Sequence, residues 1–264
     1  MPKVKIDNIH LYYELYGKGD PLLLIAGLGC DSQSWLPVVN ELSNHFQIIV
    51  FDNRGVGRSN IPEAPYNICS MADDAMKLLD HLCIYSAHIV GHSMGGYIAQ
   101  EFAINYPEQV NKLVLESTAP LSSSRNEFLF KNFFKFRQEG MDLEYWLLAW
   151  LFWLFVPNRF EDTEFVNQYI KNTLKYPYIQ STAGYKGQIE AISKFNTLDR
   201  LRKIQAKTLI IEGKEDILIL PKESEMLIKG IPKSSMLYIE DTAHFIHLEK
   251  PKIFNKAVLK FLNT

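Results

Sequence analysis

The 264-residue chain lacks the cysteine content and the charge imbalance that are typical of several protein classes. Its three cysteines, Cys30, Cys69 and Cys83, are odd in number and widely spaced. They form neither a disulfide framework nor a metal-binding pattern, and they favour a reducing, cytoplasmic setting. An excess of charge of one sign is also lacking, because 28 Lys and Arg face 30 Asp and Glu. A balanced surface offers no broad basic footprint, so nucleic acid is not expected as a partner.

Long apolar runs are missing as well. Residues 145–156 are all apolar, but this run is shorter than the roughly 20 residues that span a bilayer. Residues 1–7 lack the apolar core of a signal peptide. We therefore expect no transmembrane segment and interpret residues 145–156 as a buried or interfacial helix. A homodimer contact or a membrane contact through this run stays open.

Apolar strand patterns alternate with helical spacing in two parts of the chain, 1–120 and 197–264. Continuous apolar runs such as residues 21–26 are typical of strands that are buried on both faces. Repeated alternation predicts an α/β fold with a mostly parallel central sheet and helices on both faces. These two parts are the predicted core.

Residues 121–196 break this alternation. They contain helix-like segments rich in Phe, Tyr and Trp, and no convincing strand. We predict a helical cap, or lid, inserted over the carboxyl ends of the strands, where open α/β sheets bind ligands.

Two local predictions concern helices in the first part. The spacing of Trp35, Val38, Leu42 and Phe46 predicts one helix over residues 35–46. Ser70, followed by acidic residues, predicts the N-cap of the next helix.

A G-x-S-x-G pentapeptide, Gly91-His92-Ser93-Met94-Gly95, follows the apolar run 87–90 and precedes a helix-like stretch. Strand, sharp turn and helix are the context of a nucleophile elbow, which exposes the serine hydroxyl above the sheet. Side chains at the two glycine positions would collide with the neighbouring strand and helix. Ser93 is therefore the predicted nucleophile, in preference to a serine that only caps the helix.

A serine hydroxyl needs a general base, and the base needs an orienting acid. His244 comes just after the last predicted strand, and Asp216 comes just after the strand before it. Both residues fall at strand carboxyl ends, on the same edge as Ser93. The order serine, acid, histidine also matches this type of site.

Each of these two roles has an alternative candidate. His247 lies one turn after His244 and is the alternative base. Glu116 ends the strand at residues 113–115 and is the alternative acid, because roles and not sequence positions define a triad. Without that role, we expect Glu116 to be a solvated residue at the cap entrance.

Backbone amides are the predicted oxyanion donors. One is the amide of Met94, directly after the nucleophile. The other is the amide of Leu28, which Gly27 and Gly29 allow to turn inward.

With these residues in view, the chain resembles the α/β-hydrolase superfamily across nearly its whole length. The resemblance rests on the elbow, on Asp52–Ser59 (D-x-R-G-x-G-x-S), on Gly213-x-x-Asp216 and on Ala243-His244-Phe245. Within the superfamily it resembles the branch of 3-oxoadipate enol-lactonases, cofactor-free haloperoxidase-like perhydrolases and small carboxylesterases.

This resemblance implies a serine esterase or lactonase with the triad Ser93, Asp216 and His244 and with Leu28 and Met94 as oxyanion donors. It implies a small-molecule ester or lactone as substrate and neither metal nor organic cofactor. Two alternatives remain: perhydrolysis or haloperoxidase-type activity with the same triad, and ligand reception in a hydrolase-type pocket.

Four tryptophans are candidates for the wall of an apolar acyl pocket. Trp146, Trp150 and Trp153 share one helix face by their spacing, and Trp35 follows the oxyanion loop. The alternative interpretation is burial between cap and core, since aromatic side chains dominate protein interiors.

Overall fold

The computed structural model describes residues 2–63 and 65–264. Its strands are β1 (Lys3–Ile6), β2 (Ile9–Tyr16), β3 (Asp20–Ile25), β4 (Phe46–Phe51), β5 (Ala87–His92), β6 (Val110–Glu116), β7 (Lys207–Gly213) and β8 (Ser234–Ile239). They form one sheet in the order β1-β2-β4-β3-β5-β6-β7-β8. The pairings of β2 with β1 and β4 are antiparallel, and those from β4 onward to β8 are parallel.

Helices cover both faces of this sheet. They are α1 (Leu36–Leu42), α2 (Ile68–His81), α3 (Met94–Asn105), α4 (Ser124–Gln138), α5 (Leu143–Leu154), α6 (Thr163–Lys175), α7 (Thr182–Ile192), α8 (Pro221–Gly230), α9 (Ile246–Glu249) and α10 (Pro251–Leu262). Along β3, Leu23 and Ile25 pack with α2 and α3, whereas Leu22 and Leu24 pack with α1 and α10. Because both faces are buried, β3 is apolar throughout its second half.

The cap is the helical insertion α4–α7 between β6 and β7. The predicted fold class, a mostly parallel sheet with helices on both faces and a helical insertion, is confirmed. The proposed boundaries at residues 121 and 196 stay a prediction. An isolated antiparallel bridge between Leu121 and Asn196, where the chain leaves and re-enters the core, supports them.

Two local predictions are wrong at helix ends. Residues 32–35 form a 3₁₀ turn before α1, and Phe46 begins β4 instead of ending a helix. Phe46 is buried in both arrangements, so its burial period could not separate them. The N-cap of α2 is Asn67, not Ser70: the Asn67 side chain accepts from the Ser70 amide, and the Ser70 hydroxyl accepts from the Asn67 amide.

The apolar run at residues 145–156 forms most of α5 and continues beyond its end. Trp146 and Trp150 on this helix are buried, whereas Tyr145 and Phe152 are 68% and 62% exposed. Within the described part of the chain, no helix combines the length and apolar character that a membrane span needs.

Candidate active site

Ser93 lies on a strained turn between β5 and α3. Its backbone angles, φ 55° and ψ −118°, are ones that residues other than glycine rarely adopt. Every other residue of the stretch 87–103 is buried, whereas Ser93 is half-buried. The fold therefore exposes one hydroxyl at a turn that is otherwise closed.

Two glycines make this turn sterically feasible. A Cβ atom on Gly91 would overlap the carbonyl oxygen of Gly95, and a Cβ atom on Gly95 would overlap that of Ile25 on β3. The backbone of α3 can thus approach β3 and β5 only where side chains are absent.

His244 and Asp216 form a buried pair beside this turn. His244 Nδ1 donates to Asp216 Oδ2 at 2.8 Å. The other carboxylate oxygen, Asp216 Oδ1, accepts from the amides of Leu218 and Ile219 at 2.8 and 2.9 Å. Both oxygens of the carboxylate are therefore held, and the pair orients the His244 ring.

The two alternative residues pair with each other. His247 Nδ1 donates to the Glu116 carboxylate at 2.9 Å, and both side chains are fully buried. The expectation of a solvated Glu116 at the cap entrance is wrong, because the helix α9 closes over the end of β6. Glu116 contacts His247 and not His244, so the contacts favour Asp216 as the acid.

The loop after β3 approaches the elbow through a glycine. A Cβ atom on Gly27 would lie 3.1 Å from the Ser93 Cβ. Gly29 has φ +74°, and its amide donates to Gln188 Oε1 at 3.1 Å. Across residues 2–63 and 65–264, no hydrogen bond to protein involves the amides of Leu28 or Met94. Both amides are thus available to a ligand at the elbow.

A cavity of about 560 Å³ opens between the core and the cap. Ser93, His244 and Leu28 lie along its wall. The wall is mainly apolar, and its apolar residues from the cap and from the loops beneath it include Phe130, Trp146, Leu147, Trp150, Leu151, Leu154, Leu218, Phe245 and Leu248. Asp31 and Arg137 are charged residues of the wall. A site of this size and polarity suits a small, mainly apolar molecule.

The four candidate tryptophans divide into two groups. Trp146 and Trp150 line the cavity. Trp35 is fully buried away from it, stacked on the His247 ring with centroids 4.4 Å apart. Trp153 also lies outside the lining, with Arg125 over its ring. Trp35 precedes α1 and packs in the core with residues of α1 and α10, which removes it from the pocket.

The cap contributes two residues that the sequence reasoning did not identify. Gln188 of α7 accepts from the Gly29 amide and donates to the Arg54 carbonyl oxygen at 2.9 Å. Gln180 donates to Gln188 Oε1 at 2.8 Å and so supports this contact. These partners lie more than 120 residues from the loops they hold, and no local pattern marks them.

Burial shifts the pKa of several groups around the site, among them His92, Glu212 and Cys30. Burial, together with the neighbouring His247 and His244, holds the pKa of His92 well below its ordinary value, so its ring is neutral. Burial and the nearby Asp216 hold the pKa of Glu212 well above its ordinary value. Burial, with Asp31 nearby, raises the pKa of the Cys30 thiol at the cavity wall to about 12. Cys30 is therefore no thiolate nucleophile.

No group of three or more His, Cys, Asp and Glu side chains within the described residues is arranged to hold a metal ion. The polar groups brought together near the elbow are a hydroxyl, an imidazole and a carboxylate, with the amides of Leu28 and Met94 nearby.

The fold and this site define an α/β hydrolase, and the chain belongs to that family. The family model for the alpha/beta hydrolase fold matches residues 20–251. The resemblance stated from the sequence motifs is thereby confirmed.

Individual relatives are similar over almost their full length. RutD of Azorhizobium caulinodans, whose name proposes carbamate hydrolysis, is 29% identical, with 99% of this chain and 98% of RutD covered. BpoC of Mycobacterium tuberculosis, named for non-heme bromoperoxidase activity, is 32% identical, with 96% and 97% covered. The crystal structure of the enol-lactonase from Burkholderia xenovorans LB400 superimposes with a TM-score of 0.91 at 25% identity and full coverage of both chains.

Proposed function

We propose that this protein is a serine hydrolase that cleaves carboxylic esters or lactones through an acyl-enzyme on Ser93. The observation that carries the proposal is the buried 2.8 Å hydrogen bond between His244 and Asp216, on the cavity that Ser93 also lines. The similarity to an enol-lactonase structure over the whole chain supports the choice of ester and lactone substrates.

Asp216 accepts a hydrogen bond from the Nδ1–H group of His244, which leaves Nε2 unprotonated as the base. His244 Nε2 takes the Ser93 proton while Oγ attacks the acyl carbon, and the carbonyl π electrons move to oxygen. Asp216 stabilises the imidazolium that forms. Because the Leu218 and Ile219 amides hold its second oxygen, the carboxylate cannot rotate away from the ring.

The amides of Leu28 and Met94 hold the developing oxyanion. Loss of one such donor typically raises the barrier by about 2.7–4 kcal/mol. The hydrogen bond from the Gly29 amide to Gln188 supports this role. It fixes the residue that follows Leu28 and leaves the Leu28 amide free.

The tetrahedral intermediate then collapses. The bond between the acyl carbon and the leaving oxygen breaks, and His244 gives its proton to that oxygen, which leaves as an alcohol. In a lactone this alcohol is part of the acyl group. Water then attacks the acyl-enzyme while His244 takes its proton. The bond between the acyl carbon and Ser93 Oγ breaks, His244 returns that proton to Oγ, and the acid product is released.

Replacement of the nucleophile tests the proposal. Ser93→Ala abolishes turnover of a short nitrophenyl ester and also abolishes labelling by a fluorophosphonate, because both need the activated hydroxyl. Ser43→Ala is the matched control, since this serine contacts Asn40 at the end of α1 and does not line the cavity. Unchanged activity in purified Ser93→Ala would reject the mechanism.

A second candidate activity is perhydrolysis, in which hydrogen peroxide replaces water in the attack on the acyl-enzyme. The similarity to BpoC supports perhydrolysis as the second candidate. Peroxide-dependent bromination of monochlorodimedone in acetate buffer measures it, and this activity also requires Ser93. A carbamate ester belongs in the same substrate panel because of the similarity to RutD.

Ligand reception is the candidate from a different class. The position of Ser93 on the cavity wall, together with the paired His244 and Asp216, favours catalysis over reception. Rapid multiple turnover of any ester or lactone excludes reception, whereas a single turnover with a ligand-induced rise in melting temperature would establish it.

A further inference from the structure

Two sets of hydrogen bonds join the nucleophile elbow to the segment that carries His244. Neither set belongs to the triad itself. They are called here the histidine tie, made by His92, and the glutamate tie, made by Glu116. The side chains of His92 and Glu116 are both buried, and His92 also lines the cavity.

The histidine tie joins the residue before the nucleophile to the main chain of the base. His92 Nε2 lies 3.0 Å from the carbonyl oxygen of His244. A carbonyl oxygen can only accept, so Nε2 carries the proton and the neutral ring donates it. Packing holds this ring in place, because Phe245 stacks on it and His247 contacts its edge, each at 4.9 Å between centroids.

The glutamate tie runs through a single residue at the end of β6. The carbonyl oxygen of Glu116 accepts from the Ser93 amide at 2.9 Å. Its carboxylate oxygen Oε1 accepts from both the amide and Nδ1 of His247 at 2.9 Å. Trp35 stacks on the His247 ring, and both side chains are fully buried. Glu116 thus holds Ser93 with its main chain and the His244 segment with its side chain.

We propose that His92 and Glu116 are positioning residues that together hold the elbow against the His244 segment, so that Ser93 and His244 keep the separation that proton transfer requires. The inference rests on the proposed function, because it assigns a role relative to the Ser93–His244 pair. Ser93 and His244 are on separate loops, and a misplacement of about 1 Å at a reacting pair can lower a rate by about 10²-fold. Ties at two points remove the hinge motion that a single tie would allow.

Two substitutions of His92 with side chains of different length test the histidine tie. The amide of a glutamine at position 92 reaches the His244 carbonyl, whereas that of an asparagine is one methylene too short. We expect His92→Gln to retain activity, and His92→Asn to lose about 10- to 100-fold in kcat with KM changed less than about twofold. His88→Asn is the matched control, because His88 is a buried histidine of the same strand that contacts neither tie.

The glutamate tie is tested by the same logic with a different pair. Glu116→Gln keeps one oxygen that can accept from the amide and Nδ1 of His247 and replaces the second oxygen near Nδ1 by an amide nitrogen. Glu116→Leu removes both oxygens. We expect Glu116→Leu to lose kcat and the rate of fluorophosphonate labelling together, and Glu116→Gln to restore most of both. A merely structural role would lower the melting temperature without this difference in kcat between folded variants.

The outcomes separate the inference from the proposed function. If wild-type Ser93 is labelled and Ser93→Ala is inactive, but His92→Gln and His92→Asn have equal kcat, the histidine tie is refuted. Equal kcat in folded Glu116→Gln and Glu116→Leu refutes the glutamate tie. If His92→Asn is unfolded at the assay temperature, the Glu116 pair decides. If wild-type Ser93 is not labelled at all, the proposed function itself fails.

Discussion

His244 donates to Asp216 across 2.8 Å, from loops that follow two neighbouring strands at the edge of the sheet. The pair is almost completely inaccessible to solvent, with side chains 2% and 0% exposed. A second histidine–carboxylate pair, His247 with Glu116, lies in the same region. Two chemically similar pairs therefore have to be assigned different roles, which substitutions can separate.

Replacement of the acid is the first prediction. Asp216→Asn keeps the volume of the side chain but presents a donor to Nδ1, which disfavours the tautomer that leaves Nε2 as the base. We expect kcat to fall by roughly 10⁴-fold. The measurement is steady-state hydrolysis of a nitrophenyl ester, with Glu116→Gln as the control that loses a charge in the neighbouring pair. A large loss of kcat in Glu116→Gln together with a small loss in Asp216→Asn would make Glu116, and not Asp216, the acid of the triad.

Enlargement of the cavity is the second prediction. Trp150 lines the cavity and Trp153, on the same helix, does not. We expect Trp150→Leu to shift the preferred nitrophenyl ester to a longer acyl chain, since each added methylene that becomes buried contributes about 0.8 kcal/mol, or roughly fourfold in kcat/KM. Trp153→Leu leaves the preference as in the wild type. Identical chain-length profiles in the two variants would place the acyl group elsewhere.

The third prediction concerns the glycine between elbow and sheet. A methyl group on Gly95 would overlap the Ile25 carbonyl oxygen of β3, so Gly95→Ala has to displace the elbow. We expect kcat to fall by about 10²-fold or more, with a loss of about 1–3 kcal/mol in the free energy of unfolding.

Gly140→Ala is the control for this substitution. Gly140 has φ +83° but nothing within 4 Å of its Cβ position. It therefore costs only the backbone strain of about 1–2 kcal/mol and leaves kcat unchanged. Urea unfolding and ester hydrolysis of both variants provide the comparison, and a fully active Gly95→Ala would show that the elbow tolerates the shift.

The fourth prediction is a pH dependence of stability from Glu212. Burial and Asp216 raise the pKa of this carboxyl well above 4.5. The Ser224 hydroxyl lies beside the carboxyl and also contacts the Thr118 carbonyl oxygen. The folded state therefore binds a proton that the unfolded state releases. The resulting stability is complete below pH 4.5 and is lost as the pH rises towards the folded pKa.

Glu212→Gln mimics the protonated form and lacks this dependence. We expect the free energy of unfolding of the wild type to fall relative to Glu212→Gln by up to about 1.4 kcal/mol per pH unit above about pH 4.5. Urea unfolding of both proteins between about pH 5 and pH 8 measures the difference. A difference that stays constant across this range contradicts a raised pKa.

Much of the fold can be predicted from local patterns in the sequence. Continuous apolar runs predict β3 and β5, and the structure has strands at both places. The errors lie at ends of helices, as at Phe46 and Asn67, where a buried residue fits a helix or a strand equally well and where two polar residues compete for the cap. These choices depend on neighbours that are distant in the chain.

The candidate site divides in a similar way. Ser93 stands out locally, because a serine between two glycines, after an apolar run and before a helix, matches the steric needs of a sharp turn from strand to helix. Glu116 was expected in solvent and is fully buried, since only the packing of α9 against β6 covers it. Trp35 was a candidate for the pocket and stacks on His247 instead, a contact between residues that are distant in the chain.

Local features of the sequence determine the order and type of the long helices and strands and the strained turn at Ser93. These features are the hydrophobic period and the steric properties of glycine, which act over a few residues. Only the folded arrangement decides which carboxylate contacts which histidine. The same is true of which tryptophan lines the cavity and which cap residue accepts from the Gly29 amide. The physical reason is that side-chain period assigns a residue to a face, whereas a hydrogen bond of 2.8 Å between Asp216 and His244 needs two distant loops at one place.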